Sequence, residues 1–146
     1  MKNNKYVVHI YNVCNVLMHE KMKPFIVLLA LACIVSCGSN RRTSLFLSHI
    51  DTLYQQNPAE AIHSIDSFMS CHNDMSQHNR MLLTLYRLRA QNSVGEPFAS
   101  DSLARKVVEY FDDNGSVEEQ MSAYYVLGSV YRDLDNYPEA LADYQK

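Results

Sequence analysis

The last 26 residues, Met121 to Lys146, restrict the fold of this 146-residue chain more than any other stretch. In MSAYYVLGSVYRDLDNYPEALADYQK, Tyr124, Leu127, Gly128, Tyr131 and Leu134 recur at three- and four-residue steps, which places them on one face of a helix. Gly128 stands inside that face. A glycine in a helix interior costs about 1 kcal/mol relative to alanine, so its position predicts a second helix that approaches too closely for a side chain. Asn136 starts that second helix, with Pro138 in the first turn and Glu139 three residues on. Its apolar face is Tyr137, Ala140, Leu141 and Tyr144.

The helical period extends back to Ser44. Leu47, Ile50, Leu53 and Tyr54 form one stripe, ended by Gln55-Gln56-Asn57-Pro58 because the residue before proline avoids the helical region. Asn57 and Glu60 make a capping arrangement for the next helix, whose stripe is Ala61, Ile62, Ile65, Phe68 and Met69. After the polar break Ser70 to Gln77 comes a third helix carrying Leu82, Leu85, Tyr86 and Leu88, and Gly95-Glu96-Pro97 marks a turn. Leu103, Ala104, Val107, Val108 and Phe111 give a fourth, closed by Gly115 as a left-handed cap, and Ser116 with Glu119 forms a capping box for the fifth. No segment alternates with a period of two, so the class is all-α: six helices in hairpins over 44–71, 76–114 and 116–146. At the start of each second helix Glu60-Ala61-Ile62, Ser102-Leu103 and Glu139-Ala140-Leu141 correspond. Measured at Ile62, Leu103 and Leu141 the steps are 41 and 38 residues.

The C-terminal pattern resembles the tetratricopeptide repeat, a helix-turn-helix unit of about 34 residues with the form W-x2-L-G-x2-Y, A-x3-F, P. Tyr124 takes the tryptophan position; Leu127, Gly128, Tyr131 and Ala140 match, and Tyr144 is an aromatic swap. The family's later alanine and proline would fall beyond Lys146, so the last repeat is read as truncated, and the two earlier hairpins lack the diagnostic glycine. The resemblance implies a short right-handed α-solenoid with a concave groove lined by first helices, and a protein or peptide as partner. It places Ser122, Tyr125, Ser129 and Arg132 on the groove wall, with Arg80, Thr84, Arg87 and Gln91 as a comparable polar face one hairpin earlier. Some family members clamp a peptide carboxylate with lysine and asparagine on this wall. Tyr125 and Ser129 depart from that pattern, so that ligand is not implied.

Before the repeats, Phe25 to Val35 is an apolar run of eleven residues preceded by Lys21 and Lys23, a secretory layout too short to span a bilayer comfortably. Ile34-Val35-Ser36-Cys37 resembles the bacterial lipobox, which implies acylation of the Cys37 thiol and cleavage just before it. An ordinary cleaved signal or a short anchor helix is the alternative. Met22 gives a leader of more usual length than Met1. This reading divides the chain into a leader at 1–37, a polar tether at 38–43 and a helical region at 44–146, and places the body outside the cytoplasm, tethered to a membrane of the cell envelope by acyl chains.

Chemistry finds little support. Lysine and arginine are dispersed and the net charge is -3, so no nucleic-acid partner is expected. Three of the four cysteines precede the helical region, leaving Cys71 alone. His49, His63, His72 and His78 lack metal-ligand spacing, and no nucleotide or nucleophile motif occurs. The reading is therefore no enzyme, no metal and no cofactor, with two competing roles. One is a protein-docking module on an exported, lipid-anchored bacterial protein. The other is the sensory repeat region of a longer membrane-bound transcriptional regulator or histidine kinase.

Overall fold

Three of the helices begin where a side chain takes over a backbone N–H that the first turn leaves unpaired. Asn57 accepts from the Glu60 amide and donates to the Glu60 carboxylate, Ser76 accepts from the Asn79 amide, and Ser116 and Glu119 complete a reciprocal box. In the computed structural model, which describes residues 41–146, these caps delimit α1 (41–56), α2 (Pro58–Cys71), α3 (Gln77–Val94), α4 (Ser102–Asn114), α5 (Val117–Asp133) and α6 (Tyr137–Tyr144). No strand occurs among the described residues. The leader, Cys37 and the first part of the tether lie outside them.

Side-chain pairs give the direction of each helix. Asp51 of α1 accepts from Tyr86 of α3, and Tyr54 accepts from Arg89, both at a separation of 35 residues. Two pairs at one constant separation mean that α1 and α3 are parallel and adjacent. Between α3 and α5, Asn92 accepts from Arg132 at a separation of 40, and His78 lies 3.2 Å from Glu119 near the other end of the same helices, so these too run parallel. By contrast Arg87 pairs with Asp66, and Arg80 with the Asn73 carbonyl, so α3 runs antiparallel to α2. Helices α1, α3 and α5 thus form one layer. In the other, α2 packs on α3, α4 on both α3 and α5, and α6 on α5.

The central helix α3 is buried on two sides. Its Leu83 joins Ile50, Ile65 and Met75 in one core, while Leu85 and Leu88 join Val107, Phe111, Val126 and Val130 in another. Each such side chain contributes about 1.5–3 kcal/mol by leaving water. Ala61, Ala104 and Ala140 are buried at the first turns of α2, α4 and α6, where a larger side chain would hold the layers apart. These alanines are the equivalent positions of the three hairpins. Leu103 and Leu141, used for that comparison in the sequence, are exposed.

Several local expectations are corrected. Helix α1 already includes residues 41–43, and Thr43 is buried, so the tether expected over 38–43 is shorter. Gly115 is extended, with φ -98°, not left-handed. Its missing Cβ matters because one would stand 2.7 Å from the Phe111 carbonyl oxygen. The left-handed cap is Gly95, with φ 72°. Asn136 makes no side-chain cap. The turn before α6 is closed by backbone instead, with Asp135 at φ 57° and the Asn136 amide 2.8 Å from the Tyr131 carbonyl. The buried residues of α6 are Ala140 and Asp143, while Tyr137, Leu141 and Tyr144 are exposed along with Leu134 at the end of α5.

Candidate functional site

The α1, α3 and α5 layer has one face turned away from α2, α4 and α6. An α-helix advances about 100° per residue, so neighbours two residues apart point nearly opposite ways. On α3, Arg87 reaches α2: its Nε lies 2.7 Å from Asp66 Oδ1, with a second contact at 3.3 Å. Arg89, two residues on, therefore points about 200° away, onto the open face.

This geometry corrects the polar wall expected on α3. At the 40-residue step, Arg80, Thr84, Arg87 and Gln91 fall in register with Gln120, Tyr124, Leu127 and Tyr131, the side of α5 that faces α4. Thr84 is buried and donates to the Arg80 carbonyl, and Arg87 also donates to Gln91. Arg87 is thus a clasp between layers, and Leu82, Arg89 and Ser93 lie on the open face of α3.

On α5 the expected wall divides. Ser122 and Ser129 are in register with Leu82 and Arg89. Ser129, however, is fully buried: its hydroxyl donates to the Tyr125 carbonyl and accepts from Tyr144 at 3.2 Å. It is not free to meet a ligand, because Tyr144 of α6 folds across Gly128 and covers it. Tyr125 and Arg132 correspond to Leu85 and Asn92, the flank of α3 that α5 covers. On α5 that flank carries exposed Met121 and Tyr125, and the Tyr125 ring lies 5.7 Å from that of Tyr144. Arg132 is held by Asp133 at 2.8 Å and by Asn92 at 3.2 Å.

A polar cluster lies at the seam of α1 and α3. The Arg89 guanidinium sits 4.6 Å from the centre of the Tyr54 ring and 5.7 Å from that of Tyr86, while donating to the Tyr54 hydroxyl. Tyr86 donates to Asp51 at 2.9 Å. Burial above all, then the Asp51 carboxylate, pushes the Tyr86 hydroxyl up to about 12, so it remains a neutral donor at physiological pH. The cluster was missed in the sequence because its members lie a full hairpin apart.

A cleft of about 390 Å³ opens on the other side of the molecule, among α4, α5 and α6. There Tyr124 donates to both oxygens of Asp112, at 2.9 and 2.8 Å, and the Lys146 ammonium lies 4.2 Å over the Tyr124 ring. Burial and Asp112 raise the Tyr124 hydroxyl above its ordinary range. Asp143 lines the same cleft with its side chain only 9% exposed. One oxygen lies 3.7 Å from Lys146 and the other has no partner.

Burial raises the Asp143 carboxyl above its ordinary range, against a weaker lowering by Lys146. The folded chain therefore takes up the proton more readily than the unfolded one, and the destabilising effect of the charge is relieved as pH falls. Val107 occupies the corresponding place on α4, three residues after the buried alanine. Asp143→Val is expected to raise the thermal midpoint at pH 7, with the gap to the parent narrowing through the acidic range. A gap that widens on acidification contradicts this assignment.

No group of histidine, cysteine and carboxylate side chains suited to a metal occurs among the described residues. His78 is turned toward Glu119 and His72 toward the Phe68 carbonyl. No described helix is long and apolar enough to cross a membrane. Comparison with protein-family models, with curated proteins and with solved structures returns no match.

Proposed function

We propose that this chain is a non-catalytic protein-docking module of tetratricopeptide type, carried on an exported bacterial protein anchored by acyl chains at Cys37. The observation that carries the docking reading is the parallel register of α1, α3 and α5, at separations of 35 and 40 residues, with the intervening helices in a second layer. Stacked hairpins of this kind present their first helices as one continuous surface, and such surfaces are used for binding extended or helical segments of other proteins. The buried alanines of the second helices and the Tyr124, Leu127, Gly128, Tyr131 pattern fit the same architecture. Ser122, Arg89 and the Tyr54 and Tyr86 rings are the parts of the groove that a partner would meet, with Tyr125 and Arg132 on its flank.

Site-specific photocrosslinking on the full chain in its native host tests the docking reading. A photoreactive residue at Ser93 or Ser122, on the open face, should give an adduct of one defined mass. The same residue at Ser67 or Glu109, on second-layer helices, should not. Equal labelling of both faces, or none on the open face, contradicts it.

The anchor is tested separately. Wild type should incorporate a fatty-acid analogue and partition into detergent, and Cys37→Ala should lose both properties. Equal labelling of the two chains rules out acylation at this position.

A further inference from the structure

Arg89 stands apart from the other arginines of α3, α4 and α5. Arg87, Arg105 and Arg132 each pair with a carboxylate, and Arg80 donates to a backbone carbonyl. Arg89, half-buried on the middle helix of the open layer, has no ion pair among the described residues. Among the described residues its one hydrogen bond goes to the Tyr54 hydroxyl, which leaves four of its five N–H donors without a partner there. The carboxylate of this cluster is already engaged, since Asp51 accepts from Tyr86.

A guanidinium partly withdrawn from water favours an anionic neighbour. The Tyr54 and Tyr86 rings stabilise the cation and fix the plane of its fork, so little side-chain entropy remains to be lost when two parallel N–H bonds form to a planar acid. Packing alone does not need this arrangement, since a leucine or methionine would fill the space between two tyrosines without bringing a charge into it.

From this geometry, and resting on the docking reading above, we infer that Arg89 is the specificity point of the groove and that the partner it selects carries a carboxylate, as an acidic segment of another protein. The carboxylate docks edge-on against the guanidinium, between the Tyr54 and Tyr86 rings. The rest of the partner segment runs along α3 over Leu82 toward Ser122 on α5. Asp or Glu within the segment and a free C-terminal carboxylate share this chemistry.

The test is selection from a random-peptide library against the detergent-solubilised full chain, followed by affinity measurement for the selected peptides in free-acid and amidated forms. The expected result is an acidic residue fixed at one position, or a requirement for the free C-terminus, and affinity lowered about tenfold or more by Arg89→Ala. Arg89→Lys should recover only part of the loss, because it restores charge without the fork. The amidated peptides tell the two sources of carboxylate apart. If Arg89→Ala lowers helicity by circular dichroism, Arg89→Gln replaces it, and Arg89→Glu should shift the selected residue from acidic to basic. Peptides that bind without an acidic group, or whose affinity is indifferent to Arg89, overturn this inference and leave the docking reading standing. Failure to select any peptide overturns both.

Discussion

Phe111→Ala is expected to lower the unfolding free energy by about 3–5 kcal/mol, the largest effect of any single truncation in this helical unit. Phe111 is fully buried where α3, α4 and α5 meet, and its ring lies 5.3 Å from that of Tyr110 and 5.9 Å from that of His78. Three helices converge on it, so the hole left by the ring cannot close without moving one of them. The loss then includes a cavity cost beyond the transfer of the ring to water. Small domains are stable by only about 5–15 kcal/mol, so the variant should approach the unfolding threshold at ordinary temperature. Urea denaturation followed by circular dichroism measures it. A loss below about 1 kcal/mol would show that α3, α4 and α5 do not share one core.

The class of fold was legible because the signals for helix boundaries are local. Asn57 with Glu60 and Ser116 with Glu119 lie three residues apart, and each pair forms the contacts its spacing predicts. The three hairpins were legible for the same reason. Register across hairpins was not, because it depends on how far each turn carries the chain before the next helix starts. The separation is 35 residues between α1 and α3 and 40 between α3 and α5, so no single period assigns equivalent positions. On a helix an error of two residues is an error of about 200°, which is how Arg87 was placed on the groove when Arg89 occupies it.

Two other residues were opaque for a different reason. Asp143 belongs to a stretch, Asp143-Tyr144-Gln145-Lys146, whose composition reads as solvated, and only the packing of α6 on α5 buries it. Ser129 reads as a free groove hydroxyl until Tyr144, fifteen residues later, is seen to cover it. In both cases the environment is set by a helix elsewhere in the chain. A helical wheel drawn for one segment does not contain that information.

Gly128→Leu is expected to destabilise the unit by about 1–3 kcal/mol, through overpacking between α5 and α6. A Cβ at this position would lie 2.7 Å from Tyr144 Cε1 and 3.1 Å from the Ala140 carbonyl oxygen. The two obstacles differ in kind. The Tyr144 ring is partly exposed and can swing aside, giving up its hydrogen bond to Ser129, whereas the Ala140 carbonyl is backbone and moves only if α6 moves. Alanine at 128 therefore brings opposing effects, a gain of about 1 kcal/mol in helix propensity against displacement of the ring. Removing the ring should separate them. In a Tyr144→Ala background Gly128→Ala should become stabilising, while Gly128→Leu should still be destabilising because the carbonyl remains in the way. Urea titration of the parent and of the single and double variants gives the coupling between 128 and 144. A coupling of zero would show that Tyr144 does not cover Gly128. Glycine at that position would then have to be explained by the backbone of α6 alone.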